Sequence, residues 1–150
     1  MAAKSSTRRK AASPAWVVLK FGGTSVSSVE RWETIATLLR QRLAEGLRPV
    51  VVHSALATVS NKLDELLHRA LEMDVTAQVA GIRELHLRLA AGLQVDGEKE
   101  LGGYFRELEQ LLAGIHLIRE VSPRIQARVM GLGELMATRL GAAYLARVGL

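Results

Sequence analysis

Two short apolar runs, joined by a glycine turn and one amphipathic stretch, set the limits on this fold. Trp16-Val17-Val18-Leu19 leads through Lys20-Phe21 into Gly22-Gly23-Thr24-Ser25. Pro49-Val50-Val51-Val52 is the second run, with proline at a first position, where no ladder donor is needed. Between them Val29, Trp32, Ile35, Ala36, Leu39 and Leu43 recur at helical spacing. Ser27 and Glu30 open that stretch with the spacing of a capping box, and Gly46 stops it. Strand, turn, helix and strand make a βαβ unit, which requires parallel pairing and a right-handed crossover. Continuous β-branched runs of this kind suit strands buried on both faces.

After His53 comes a loop of small residues from Ser54 to Ser60, and the remainder reads as helix nearly throughout. Segments near 61–73, 75–91 and 98–120 carry leucines at three- and four-residue intervals. Weak breaks fall at Asp74, around Gly92–Gly97 and at Ser122-Pro123, where Ser122 as N-cap and Pro123 as first helical residue open a final helix. Two strands make a poor parallel sheet, because each needs neighbours and helices on both faces. The expectation is therefore that residues 16–150 form the first part of a larger α/β domain, incomplete here and helix-rich after residue 60.

The chain carries 20 Lys and Arg against 15 Asp and Glu, a formal +5. Four of those basic residues, Lys4, Arg8, Arg9 and Lys10, and none of the acids, lie in the first fourteen positions. The rest is close to neutral, with its charges interleaved and only six aromatics in all, two each of Trp, Tyr and Phe. That pattern argues against a nucleic-acid stripe. Residues 1–15 read as a disordered basic leader, Ser/Arg-rich like short organelle-targeting segments but without the apolar core of a secretory signal. No run approaches the roughly 18 apolar residues of a membrane span, so a cytoplasmic protein with no membrane partner is expected. The absence of cysteine excludes a disulfide scaffold, a thiolate zinc site and a catalytic thiol. His53, His68, His86 and His116 show no ligand spacing, so no metal site is expected.

Three segments could carry chemistry. Lys20 and Gly22-Gly23-Thr24-Ser25, at the carboxyl end of a strand, have the makings of a phosphate cradle. Backbone N–H groups, hydroxyls and a mobile cation would be aided by the dipole of the following helix, although no Walker loop is present. The plain alternative is a tight turn with a snorkelling lysine. Ser54 and Ser60 lie in the loop leaving the second strand, at the sheet edge where open parallel sheets bind ligands, and could hydrogen-bond a small polar substrate. That loop reads equally as a linker with Ser60 capping a helix at Asn61. Glu134, in Gly131-Leu132-Gly133-Glu134-Leu135-Met136, shares a helical stripe with Gly131, Thr138 and Gly141. It could meet a substrate ammonium or form an ion pair with Arg128 or Arg139.

Taken together, the three segments resemble the start of the aspartokinases, in the amino-acid kinase family. Val18 through Val26 is close to that family's opening signature, Ser54 through Asn61 resembles its second segment, and Gly133-Glu134-Leu135-Met136 with Arg139-Leu140 resembles its third. Their order and approximate spacing agree across residues 16–150. The wording of Arg31-Trp32-Glu33-Thr34-Ile35 is also similar to enzymes in which an aspartokinase is fused to diaminopimelate decarboxylase. The resemblance implies a three-layer αβα fold with a mostly parallel sheet, of which this chain holds the substrate-side part. It implies ATP-dependent phosphorylation of the side-chain carboxylate of L-aspartate, the first step toward lysine, threonine and methionine, with Mg²⁺ carried by the nucleotide.

Under that reading Lys20 stabilises charge on the phosphoryl group, Gly22, Gly23, Thr24 and Ser25 surround the phosphates, and Ser54, Ser60 and Glu134 hold aspartate. A homo-oligomer is implied for the full-length protein, and little or no kinase activity for residues 1–150 alone. Thr58 stands where the family usually has glycine, so a side chain there restricts the substrate loop. The rivals are a kinase of the same fold acting on glutamate or acetylglutamate, and a non-catalytic assembly fragment with an open sheet edge.

Overall fold

The computed structural model describes residues 14–150, so most of the expected leader lies outside the described residues. The βαβ unit forms as the sequence predicts. Strand β1 (Trp16–Phe21), helix α1 (Val29–Ala44) and strand β2 (Arg48–His53) follow in order, with a 3₁₀ turn at Gly23–Val26. The two strands pair in parallel from Trp16 opposite Arg48 to Phe21 opposite His53. Helix α1 ends at Gly46, whose φ of +77° is the left-handed exit that glycine allows at low cost.

Four more helices complete the chain: α2 (Val59–Ala70), α3 (Val79–Gly92), α4 (Gly97–Ile118) and α5 (Pro123–Arg147). Helix α5 opens as expected, with Pro123 in its first turn and the Ser122 hydroxyl accepting from the Ile125 N–H at 3.3 Å. Helices α2 to α5 pack around one core, in which Leu63, Leu67, Ile82, Phe105, Leu112 and Met136 are fully buried. Helices α1 and α5 both lie against β2.

Two expectations are corrected. The sheet is covered on one face only. Leu19, Phe21 and Val51 pack against the core, while Trp16, Val18, Val50 and Val52 on the other face remain 68%, 65%, 38% and 45% exposed. Among the described residues no element lies over that second face, so the chain itself supplies two of the three layers. The N-cap of α1 is Ser28 rather than Ser27: the Ser28 hydroxyl accepts from the Arg31 N–H. The Ser28 hydroxyl and the backbone N–H of Glu30 together hold the Glu30 carboxyl below its ordinary range.

Trp32 locks α1 in place. Its Nε1–H donates to the Val26 carbonyl at 2.9 Å, and its ring stands edge-on to His53 and Tyr144. Gly141 of α5 lies directly against this ring, and a Cβ there would collide with the indole. Gly141→Ala should therefore lower stability by about 1–3 kcal/mol, the usual range for overpacking a filled core, as read by denaturant unfolding.

His86, buried between α3 and α4, donates from Nδ1 to the Ile82 carbonyl at 2.8 Å and stands edge-on to Phe105. Its Nε2 has no protein partner. Burial pushes its pKa below the ordinary 6.5, only partly opposed by the Ile82 bond. The unfolded chain then binds a proton that the folded chain resists. Stability should therefore fall as pH drops below about 6.5, and His86→Leu should flatten that part of the pH–stability curve.

Candidate functional site

The floor of the site is backbone. At the carboxyl end of β1 the chain stays extended at Gly22, with φ −77° and ψ 170°, and then turns through Gly23–Val26. The first bond of this turn runs from the Ser25 N–H to the Gly22 carbonyl at 2.9 Å, which leaves the Gly23 and Thr24 N–H groups free of the turn's own ladder. Lys20, Gly22 and Thr24 are exposed beside them, and Ser25 is half-buried. The turn thus places backbone N–H groups, hydroxyls and a lysine at one edge, with one correction to the expected helix dipole. Helix α1 starts at Val29, beyond the 3₁₀ turn, so the dipole at the glycines is that of a single short turn.

The loop after β2 lies directly against this turn. The Ser54 N–H donates to the Phe21 carbonyl at 3.2 Å, carrying the strand pairing one step into the loops. At Gly23 a Cβ would come within 2.8 Å of the Ala55 carbonyl oxygen and 3.4 Å of the Ala57 nitrogen. Glycine is required here because two backbones touch. Two further bonds join the same loops: the Ser27 hydroxyl donates to the Gly23 carbonyl at 2.6 Å and accepts from the Ala57 N–H at 2.8 Å. Sequence reasoning assigned Ser27 to a helix cap and so missed this role. The only signal was a redundant pair of serines, of which one was enough for the cap.

The third segment arrives on α5. Gly133 is buried, and a Cβ on it would sit 3.0 Å from the Ala55 side chain and 3.3 Å from that of Val59. Ala55 therefore touches both the glycine turn and α5, and all three sequence segments meet on the Ser54–Ser60 loop. The close contact is made by Gly133, not by the stripe of Gly131, Glu134, Thr138 and Gly141. That stripe is split, with Gly141 buried and Glu134 and Thr138 exposed.

Glu134 does not form either ion pair open to it in the sequence. Arg128 is held by Glu107, and Arg139 by Glu100 at 2.6 Å. Glu134 is thus an exposed carboxylate with no ion-pair partner among the described residues. The linker reading of Ser60 is corrected too: α2 begins at Val59 with Thr58 as its N-cap, so Ser60 lies inside the first turn and caps nothing. Among the described residues, no three His, Asp or Glu side chains are grouped to hold a metal ion, and no helix is long and apolar enough to cross a membrane.

Thr58 itself has φ 71° and ψ −14°, the left-handed region, which costs a β-branched residue roughly 1–2 kcal/mol. A glycine would adopt this conformation without that cost, and the loop needs it because the chain turns left-handed to enter α2. Thr58→Gly should relieve the strain and raise stability by about 0.5–1 kcal/mol net of glycine's entropy, measured as a higher unfolding midpoint.

Comparison with known proteins gives a consistent result. Residues 15–150 match the amino acid kinase family. Over 140 residues the chain is 40% identical to aspartokinase 2, chloroplastic, of Arabidopsis thaliana, a match covering 88% of this chain and 25% of that protein. Aspartokinase 3, chloroplastic, of the same plant is 38% identical, with 88% and 24% covered. The chain thus spans about a quarter of the length of the curated relatives it matches. Among solved structures, E. coli aspartokinase III in complex with aspartate and ADP superposes with a TM-score of 0.73 at 24% identity. That superposition covers 89% of this chain and 29% of that one, and it shows that the two share an α/β fold over the matched part.

Proposed function

Because this chain belongs to the amino acid kinase family, we propose that it is the substrate-side part of an enzyme that phosphorylates the side-chain carboxylate of L-aspartate with ATP. The observation that carries this reading is the meeting of the Gly22–Ser25 turn, the Ser54–Ser60 loop and the Gly133-Glu134 segment around Ala55, at the carboxyl edge of a parallel sheet. Open parallel sheets bind ligands at that edge. The curated relatives, named as aspartokinases, favour aspartate among the small carboxylates.

In the proposed reaction a carboxylate oxygen of aspartate attacks the γ-phosphorus, the bond to the bridging oxygen breaks, and ADP leaves with that electron pair. No general base is needed, since the acceptor is already ionised at neutral pH. Catalysis then consists of positioning and charge stabilisation. Lys20, exposed beside the turn, would neutralise charge on the phosphoryl oxygens, and the amides of Gly22, Gly23 and Thr24, with the hydroxyls of Thr24 and Ser25, would seat the phosphates. The hydroxyls of Ser54 and Ser60 would hold the substrate, and Glu134, left without an arginine, would take its ammonium. Mg²⁺ would travel with the nucleotide. A cytoplasmic, homo-oligomeric enzyme of lysine-pathway biosynthesis is the corresponding proposal for the whole protein.

The test is hydroxamate trapping of the acyl phosphate made by the full-length protein with aspartate, glutamate or N-acetylglutamate. Aspartate-dependent product is expected, and product with only another carboxylate would overturn the assignment. Lys20→Ala should lower kcat by about 10²–10³-fold, in line with loss of one charge-stabilising donor, without loss of fold. Glu134→Ala should raise KM for aspartate by about ten- to hundredfold, the worth of one charge-assisted bond, with a smaller change for ATP.

A further inference from the structure

We propose that Ser27 is a positioning residue, a hydroxyl staple that fixes the spacing between the phosphate turn and the substrate loop. The inference rests on the kinase reading above.

A hydroxyl carries one donor and two acceptor lone pairs, so a single Oγ can give a bond to one loop and take a bond from another. Ser27 does both: it donates to the Gly23 carbonyl at 2.6 Å and accepts from the Ala57 N–H, thirty residues away, at 2.8 Å. The two partners are main-chain atoms of the segments that would seat the phosphoryl donor and the acceptor. Gly23 and Ala55 are already in backbone contact, so the bonds set a separation that van der Waals packing has brought to its minimum. Ser27 has no other described hydrogen-bonding duty, since Ser28 caps α1. Reacting atoms must lie about 3–3.5 Å apart and aligned, and an error near 1 Å can cost about 10²-fold in rate. A bond that ties donor loop to acceptor loop therefore acts on kcat more than on the binding of either substrate.

The experiment compares Ser27→Ala and Ser27→Thr in the full-length protein. It reads kcat, KM for aspartate and for ATP, and hydrogen exchange at the Ala57 amide. The expected result for Ser27→Ala is a kcat about tenfold or more lower, both KM values within about threefold, and faster exchange at Ala57. Ser27→Thr, which keeps the hydroxyl, should restore most of the rate and the protection. Unchanged kcat in Ser27→Ala, a change confined to KM, equal losses in both variants, or unaltered Ala57 exchange would each overturn the staple. An unmodified protein without aspartate-dependent turnover would instead overturn the kinase reading, and the catalytic half of this inference with it. The comparison of unmodified protein with variants keeps the two failures apart.

Discussion

The buried indole of Trp32 is the contact on which the arrangement of the site depends. Through its N–H it holds the Val26 carbonyl at the end of the glycine turn. With its ring edges it meets His53 at the end of β2 and Tyr144 on α5. One side chain on α1 thus registers the three pieces of backbone that lead into the three site segments. A buried indole N–H needs an acceptor, and the carbonyl it uses has little freedom, since it closes a 3₁₀ turn. The flat ring accounts for Gly141 in the middle of a long helix: α5 must come close enough that no Cβ fits between.

With the backbones set this way, the candidate site has a close-packed floor and an exposed rim. The floor is made of Gly23, Ala55, Ala57 and Gly133, residues small enough for the three segments to touch. The rim carries the charges Lys20 and Glu134, both exposed. The proposed phosphoryl transfer would benefit from this division, because dipoles held by packing need not reorganise as charge moves. Glu134 remains available because α4 occupies the competing cations: Glu107 and Glu100 take Arg128 and Arg139.

The strands, the glycine turn, the opening of α5 and the helical content after residue 60 were legible in the sequence, because each is written in local terms: β-branched runs, a proline after a serine, leucines at helical intervals. What was not legible is decided by distant partners. Periodicity locates a helix start only to within a few residues, as at α3, which opens at Val79 rather than near 75, and two adjacent serines satisfy it equally. Ser28 becomes the cap only because Ala57 claims Ser27. The left-handed turn at Thr58 carries no local mark, since threonine is a poor residue for it. The choice of Gly133 over Gly131 as the close contact likewise depends on where Ala55 lies.

The sheet shows the same limit from the other side. A strand with one face in water ordinarily alternates polar and apolar residues, yet Trp16, Val18, Val50 and Val52 all lie on the bare face, which the exposed Lys20 and Arg48 share, the Arg48 guanidinium 5.5 Å over the Trp16 ring. The run of residues is that of a strand with a layer on each side, while the described residues supply only the first. The site does not lean on that second layer. Its turn is held by Trp32 and Ser27, its loop by Gly23 and Gly133, and every one of those contacts comes from the covered side or from the loops themselves. The relative placement of the three segments is therefore fixed by interactions within the described residues.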